Sequence, residues 1–180
     1  MSSDGTFQFG ASTIVPSDVR LIILDCFETL VELEGRIYQA RHGVVPFLQH
    51  FMHGNVQLAV LSDGEQAAVE GALSQAGLTQ HFAIVVGAPQ SLEQLPDGRM
   101  VKRLDQLIVR FAVPIEQTIF VGDSPLDAVA AQHHGVPFIR VPRSEDRDFT
   151  FASLISGPSR YQSSEFSAVF LERYLKRKNP

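Results

Sequence analysis

Residues 19–29, with the sequence VRLIILDCFET, carry the strongest evidence for the fold of this chain. The first six residues are an almost continuous apolar run, which is typical of a strand buried on both faces of a parallel sheet. Asp25 follows the run directly, and a carboxylate at the end of a buried run is costly unless it is paired or bound to a cation. The segment therefore predicts a central strand with a functional residue at its end.

Four further apolar runs predict four more strands, at residues 56–61, 82–86, 118–121 and 136–141. Apolar side chains recur at helical spacing between these runs, and the predicted helices cover about 44–53, 68–76, 101–111 and 126–134. Strands that alternate with helices through short connections predict an α/β fold. We expect a three-layer α/β/α, Rossmann-like sandwich with a mainly parallel sheet.

Length and composition indicate how many domains the chain forms. The 180 residues, 44% hydrophobic and 19% charged, suit one soluble domain. We expect a core over about 18–142, an N-terminal arm over 1–17, and a C-terminal extension over 143–180 that ends in a helix at about 165–176. No apolar run is long enough to span a membrane, and no signal peptide precedes the first strand, so a cytoplasmic location is expected. The net charge of −5 argues against a nucleic-acid partner, and the oligomeric state stays open.

Polar side chains follow three of the predicted strands, where open α/β sheets bind their ligands. They are Asp25 and Thr29, then Ser62 and Asp63, then Asp123 and Asp127. Carboxylates that share one edge repel each other unless a cation lies among them, and hard oxygen ligands suit Mg²⁺. A metal-bound aspartate stays ionised and can attack phosphorus, while hydroxyl groups and a lysine or arginine hold the phosphate oxygens.

Over roughly residues 18–142 the chain resembles the haloacid dehalogenase superfamily. LIILDCFETL is similar to the first motif of that family, LAVLSDG to the second and IFVGDSPLD to the fourth. The resemblance implies that Asp25 is the catalytic nucleophile and that Lys102, or alternatively Arg99, is the cation of the third motif. It also implies that Thr29, Ser62, Asp63 and Lys102 bind the substrate. Mg²⁺ would be held by Asp25, Asp123, the main-chain carbonyl of Phe27 and Asp127.

Phe27 is the largest departure from the family pattern. Phosphatases of the family have a second aspartate here, which protonates the leaving alcohol and later activates water, and such general acid–base help is worth about 10²–10⁴-fold in rate. Glu28 is the nearby carboxylate that remains. Family dehalogenases carry an aromatic residue at this position, but they lack the Gly122-Asp123 pair, and residues 26–61 leave no room for their large cap. We therefore expect a minimal cap and an open site.

Several of these residues also have purely structural explanations. Ser62 with Glu65, and Ser124 with Asp127, are both spaced as helix-capping pairs. A lysine on a helix, as predicted for Lys102, is usually just solvated.

The sequence favours a hydrolase, specifically a Mg²⁺-dependent phosphatase or phosphotransferase that acts through an aspartyl-phosphate on Asp25. Its substrate would be a phosphorylated small molecule, or a phosphate on a macromolecule that reaches the open site. Two alternatives stay open: a non-catalytic regulatory or binding protein with the same fold, and a hydrolase similar to the 2-haloacid dehalogenases.

Overall fold

The computed structural model describes residues 14–155. Within this range the strands are β1 (Leu21–Leu24), β2 (Val31–Glu34), β3 (Ile37–Ala40), β4 (Gln57–Glu65), β5 (Ile84–Ala88), β6 (Leu92–Gln94), β7 (Met100–Lys102), β8 (Thr118–Gly122) and β9 (Phe138–Arg140). The α-helices are α1 (Val44–His53), α2 (Gln66–Gln75), α3 (Leu104–Phe111) and α4 (Pro125–His134). No helix among the described residues is long and apolar enough to cross a membrane.

The five predicted apolar runs form one parallel sheet in the order β5-β4-β1-β8-β9. β1 lies at its centre, and all four of its residues are buried. Because side chains alternate along a strand, Ile22 and Leu24 pack on one side with α1 and α2, while Leu21 and Ile23 pack on the other with α3 and α4. The predicted α/β sandwich with a mainly parallel sheet is confirmed.

Two antiparallel hairpins were not predicted. The first pairs β2 with β3 and lies between β1 and α1, and the second pairs β6 with β7 and lies between β5 and α3. Their strands are three or four residues long and mix polar with apolar side chains, so no strand pattern stands out in the sequence. Between β1 and β4 the chain holds only the first hairpin and α1, which matches the expected minimal cap.

Two local predictions were wrong. The helix expected from residue 101 begins at Leu104, because Val101 lies in β7 and is buried there. Ser62 does not cap α2, because β4 continues through Glu65 and the hydroxyl oxygen of Ser62 accepts a hydrogen bond from the backbone N–H of Gly64 at 3.3 Å.

The capping pair at the start of α4 is confirmed. The Ser124 hydroxyl oxygen accepts a hydrogen bond from the backbone N–H of Asp127, and the Asp127 carboxylate accepts one from the backbone N–H of Ser124. Pro125 occupies the first turn, where its missing N–H costs nothing.

The core includes residues on both sides of the 18–142 range. Phe151 is fully buried, with ring centroids 5.2 Å from Phe47 of α1 and 5.4 Å from Phe149. The backbone N–H of Val15 donates to the carbonyl of Leu154 at 2.9 Å and ties the two ends of the described chain together. The predicted C-terminal helix and most of the N-terminal arm lie outside the described residues.

Truncation of Phe151 tests whether the segment after β9 belongs to the core. We expect Phe151→Ala to lower the free energy of unfolding by about 3–5 kcal/mol, because the cavity would open between two other aromatic rings. Urea denaturation measures this change. Val109→Ala is the control, since Val109 is 78% exposed on α3 and its truncation should change stability by no more than about 0.5 kcal/mol. Equal effects of the two substitutions would contradict the packing described here.

Candidate active site

Three aspartates converge at the carboxyl end of the sheet. Asp25 follows β1 and Asp123 follows β8, and these strands are neighbours with Leu24 opposite Val121. Asp127 reaches the same place from the first turn of α4. All three are buried, and one carboxylate oxygen from each lies within 4.8 Å of the others.

Lys102 is the cation at the centre of this cluster. Its Nζ donates hydrogen bonds of 2.6 Å to Oδ1 of Asp25 and of 2.6 Å to Oδ1 of Asp127. The carboxylate of Asp63 lies 3.7 Å away and is 55% exposed, so it borders the cluster from the solvent side. Arg99, the alternative cation, is instead paired with Asp97 at 2.6 Å in the turn of the second hairpin. Lys102 reaches the site from the end of β7 and not from a helix.

The cluster has a buried excess of negative charge. Burial raises the pKa of Asp25 to about 7; the Lys102 ammonium opposes this rise, and the Asp127 carboxylate adds to it. Burial, together with Asp127, also raises the pKa of Asp123. Burial alone would lower the pKa of Lys102, but Asp127 and Asp25 outweigh it and the pKa is raised, so the lysine stays charged. The Lys102 ammonium therefore serves two of the three buried carboxylates, Asp25 and Asp127.

The two buried hydroxyl groups at the site have different partners. The Thr29 hydroxyl donates to Oδ1 of Asp123 at 3.1 Å and so orients that carboxylate. The Ser62 hydroxyl oxygen accepts from the Gly64 N–H. Because Ser62 accepts in this contact, its own O–H proton is not used in that bond.

Phe27 forms an apolar wall beside the acids. Its ring lies against the ring of Tyr38, with centroids 5.4 Å apart. The ring also covers Gly64, where an added Cβ would come within 2.6 Å of Phe27 Cε2, so only glycine fits there without a shift. The ring thus bridges the first hairpin and the end of β4.

Glu28 does not take the place of the missing aspartate. Its Oε2 accepts hydrogen bonds from the backbone N–H and the hydroxyl of Ser144, at 3.1 and 2.6 Å. Its backbone has a φ of 58°, in the left-handed region that is uncommon for residues other than glycine. These contacts tie Glu28 to the loop after β9.

Two arginines at the site were missed by the sequence-based prediction. Arg143 Nε donates to Oδ2 of Asp123 at 3.0 Å. Arg41 is buried and donates to the carbonyls of Glu28, Thr29 and Arg143. Arg143 comes shortly after the β9 run, so the rule that located the aspartates could have found it, whereas Arg41 follows the unpredicted strand β3.

The donor set fits a hard divalent cation. Carboxylate oxygens are the ligands that Mg²⁺ prefers, and a cation among them would favour the charged forms of Asp25 and Asp123, whose pKa values are raised by burial and by the neighbouring Asp127. Arg143 already neutralises part of this charge from the solvent side, with its side chain 59% exposed.

The aspartate cluster and the buried lysine lie at the carboxyl edge of a parallel α/β sheet, which is where open α/β sheets bind their ligands. Residues 18–141 match the family model of the haloacid dehalogenase-like hydrolases. The chain belongs to that family.

Relatives with phosphatase names support this class. Phosphoglycolate phosphatase of Rhodobacter capsulatus is 27% identical over 97 residues, which cover 54% of this chain and 42% of that protein. The match thus spans less than half the length of that relative.

Solved structures share the fold. A predicted phosphoglycolate phosphatase from Haemophilus somnus has a TM-score of 0.59 at 16% identity, covering 77% of this chain and 97% of that one. The N-terminal part of a Bacteroides fragilis protein, containing a phosphatase domain complexed with Mg, has a TM-score of 0.51 at 16% identity, covering 69% of this chain and 36% of that one. At these identities the likeness is one of fold.

The raised pKa of Asp25 predicts a pH-dependent stability in the metal-free protein. Between about pH 4 and pH 7 folded Asp25 keeps a proton that the unfolded chain has lost, so its contribution to stability falls as the pH rises. We expect Asp25→Asn to remove this loss, and the stability of the variant relative to the wild type should therefore increase from pH 5 to pH 8. Urea denaturation in a metal chelator measures it.

Asp18→Asn is the matched control, because Asp18 is an exposed carboxylate just before the other end of β1. The free energy of unfolding of the Asp18→Asn variant relative to the wild type should be the same at pH 5 and pH 8. If the free energies of unfolding of Asp25→Asn and the wild type differ by the same amount at pH 5 and pH 8, burial does not raise the pKa of Asp25.

Proposed function

We propose that the protein is a Mg²⁺-dependent phosphatase that acts through an aspartyl-phosphate on Asp25. The observation that carries the proposal is the buried cluster of Asp25, Asp123 and Asp127, in which the Lys102 ammonium binds Asp25 and Asp127. A catalytic nucleophile and a metal site explain why the fold keeps three carboxylates in an environment that penalises their charge. Membership of a hydrolase family with phosphatase relatives supports the same reaction class.

Four groups of this chain would hold the metal: the carboxylates of Asp25 and Asp123, the main-chain carbonyl of Phe27, and Asp127 in support. Bound Mg²⁺ supplies positive charge to the oxygens of the transferring phosphoryl group. Thr29 contributes by holding Oδ1 of Asp123 in place.

In the proposed reaction a carboxylate oxygen of Asp25 bonds to phosphorus while the bond from phosphorus to the leaving oxygen breaks. Lys102 contacts Asp25 at 2.6 Å and offsets the charge that nucleophile and phosphate bring together. Ser62 and Asp63 lie at the edge where the substrate enters, and the free proton of the Ser62 hydroxyl can be donated to a phosphate oxygen. Water then attacks phosphorus, the bond from phosphorus to Asp25 breaks to return the carboxylate, and inorganic phosphate leaves with both protons of the water.

The leaving group sets the speed of the first step. Phe27 has no proton to transfer, and Glu28 is held by Ser144. An alkoxide leaving group would therefore depart without a positioned acid, at a cost of about 10²–10⁴-fold in rate. The site favours phosphate esters whose leaving group is stable as an anion, such as aryl esters.

The proposed substrate class is a phosphorylated small molecule, as the phosphatase relatives suggest. The short insertion between β1 and β4 leaves the edge of the sheet open, so a phosphate on a macromolecule is the second candidate. Dehalogenation has less support, because the acidic cluster with Asp123 suits a metal that halide displacement does not need.

Substitution of the nucleophile tests the reaction class. Asp25→Asn should abolish Mg²⁺-dependent release of phosphate from an aryl phosphate, because an amide cannot form the phospho-enzyme. Release of p-nitrophenol and of phosphate measures it. Asp18→Asn, the same change just before the other end of β1, should retain full activity. Metal-independent release of halide from 2-chloropropionate, with no release of phosphate, would overturn the proposal in favour of a dehalogenase. The absence of both activities, together with no binding of Mg²⁺ by calorimetry, would favour a non-catalytic protein.

Restoring the missing acid tests the role of Phe27. We expect Phe27→Asp to raise kcat/KM on alkyl phosphates by at least about 10-fold and to change kcat/KM on aryl phosphates much less, since kcat/KM reports the first step and only the alkyl leaving group needs a proton there. Phe27→Asn is the matched control, because it removes the same ring from Gly64 and Tyr38 but cannot transfer a proton. If both variants respond alike on alkyl phosphates, the missing acid does not limit the rate.

A further inference from the structure

A second cluster of metal-ligating side chains lies where the β6–β7 hairpin meets the end of α4. Glu93 belongs to β6, and His133 and His134 are the last two residues of α4. One ligand atom from each of the three lies within 4.8 Å of the others. Oε1 of Glu93 is 3.3 Å from Nε2 of His134 and 3.6 Å from Nε2 of His133.

We propose that Glu93, His133 and His134 bind a divalent transition-metal ion of the Zn²⁺ type, at a site separate from the aspartate cluster. Tetrahedral zinc with bonds of about 2.0–2.1 Å to nitrogen and oxygen places neighbouring ligand atoms about 3.3–3.4 Å apart. Both measured separations from Glu93 lie close to this value. The third separation, between the two histidines, is at most 4.8 Å, so rotation of these side chains could close the set around one ion.

Hydrogen bonding alone accounts poorly for this arrangement. In its uncharged form the ring of His134 carries one proton on its two nitrogen atoms. When the single proton of that ring is on Nε2, it can be donated to the Lys102 carbonyl at 3.0 Å, which leaves none for Glu93. The distance of 3.6 Å from His133 to Glu93 is too long for a hydrogen bond, but it suits two ligands of one ion.

The donor chemistry selects the class of metal. Two imidazoles and one carboxylate form a mixed nitrogen and oxygen set that suits Zn²⁺ and its neighbours, whereas Mg²⁺ prefers oxygen alone. An uncharged imidazole is the form that binds metal, and any proton on the ligating nitrogen is released on binding.

The proposed metal site is linked through the backbone to Lys102, the cation of the aspartate cluster. Glu93 and Lys102 belong to paired strands of one hairpin, and α4 carries both His134 and Asp127. An ion held between hairpin and helix would fix the backbone of Lys102, whose Nζ contacts Asp25. The ion is therefore assigned a positioning role, and its binding does not depend on the proposed phosphatase activity.

Binding of Zn²⁺ to the full chain, measured by calorimetry with excess Mg²⁺ present, tests the proposal. We expect one equivalent of Zn²⁺, and Co²⁺ in its place should show the visible bands of a nitrogen-coordinated tetrahedral ion. Glu93→Gln and His133→Ala should each weaken Zn²⁺ binding by more than about 100-fold, because loss of a direct ligand exceeds the 10–100-fold effect of losing an outer contact. Far-UV circular dichroism checks that the variants are folded.

His53→Ala is the matched control, because His53 is an exposed histidine at the end of another helix, α1. It should bind Zn²⁺ as the wild type does. No saturable binding to the wild type, binding that survives both Glu93→Gln and His133→Ala, or binding that is lost in Asp123→Asn instead would overturn the proposal.

Discussion

The ammonium of Lys102 is shared by two buried carboxylates, at 2.6 Å from Asp25 and 2.6 Å from Asp127, and much of the local structure follows from this contact. Loss of one partner from a buried ion pair typically costs about 3–5 kcal/mol, because the other charge is left without compensation. The chain must therefore bring a strand end, a helix start and a hairpin to one point. β1 delivers Asp25 from the centre of the sheet, α4 delivers Asp127, and β7 delivers the lysine.

Asp127 shows how closely structural and functional roles are joined here. Its Oδ2 accepts hydrogen bonds from the backbone N–H and the hydroxyl of Ser124 and so completes the cap of α4, while its Oδ1 binds Lys102. The carboxylate comes so close to Gly122 that a Cβ there would lie 2.5 Å from Oδ2. From the sequence, Asp127 could either cap α4 or belong to the acidic cluster. In the structure it does both, because Oδ2 completes the cap and Oδ1 binds Lys102.

The sequence predicted those features that depend on runs of neighbouring residues. Buried strands have a continuous apolar pattern, so the sheet could be predicted, and parallel strand ends share one edge, so the convergence of Asp25 and Asp123 followed. The contacts of Arg41, Arg143 and Glu28 could not be predicted in this way. They join the segments after β1 and β8 to the loop after β9, and no local pattern records which of two distant polar residues will meet. The strand that carries Lys102 was mistaken for a helix because Val101 happens to continue the apolar spacing of α3.

Arg41 links two of the loops around the site by hydrogen bonds. Its guanidinium donates to carbonyls on both the turn after β1 and the loop after β9, and the Glu28–Ser144 contact joins the same two segments. Replacement of either segment alone would remove these hydrogen bonds. For protein engineering, the first hairpin and the loop after β9 therefore form one exchangeable unit, and a hairpin taken from a relative would have to bring its own distal loop with it.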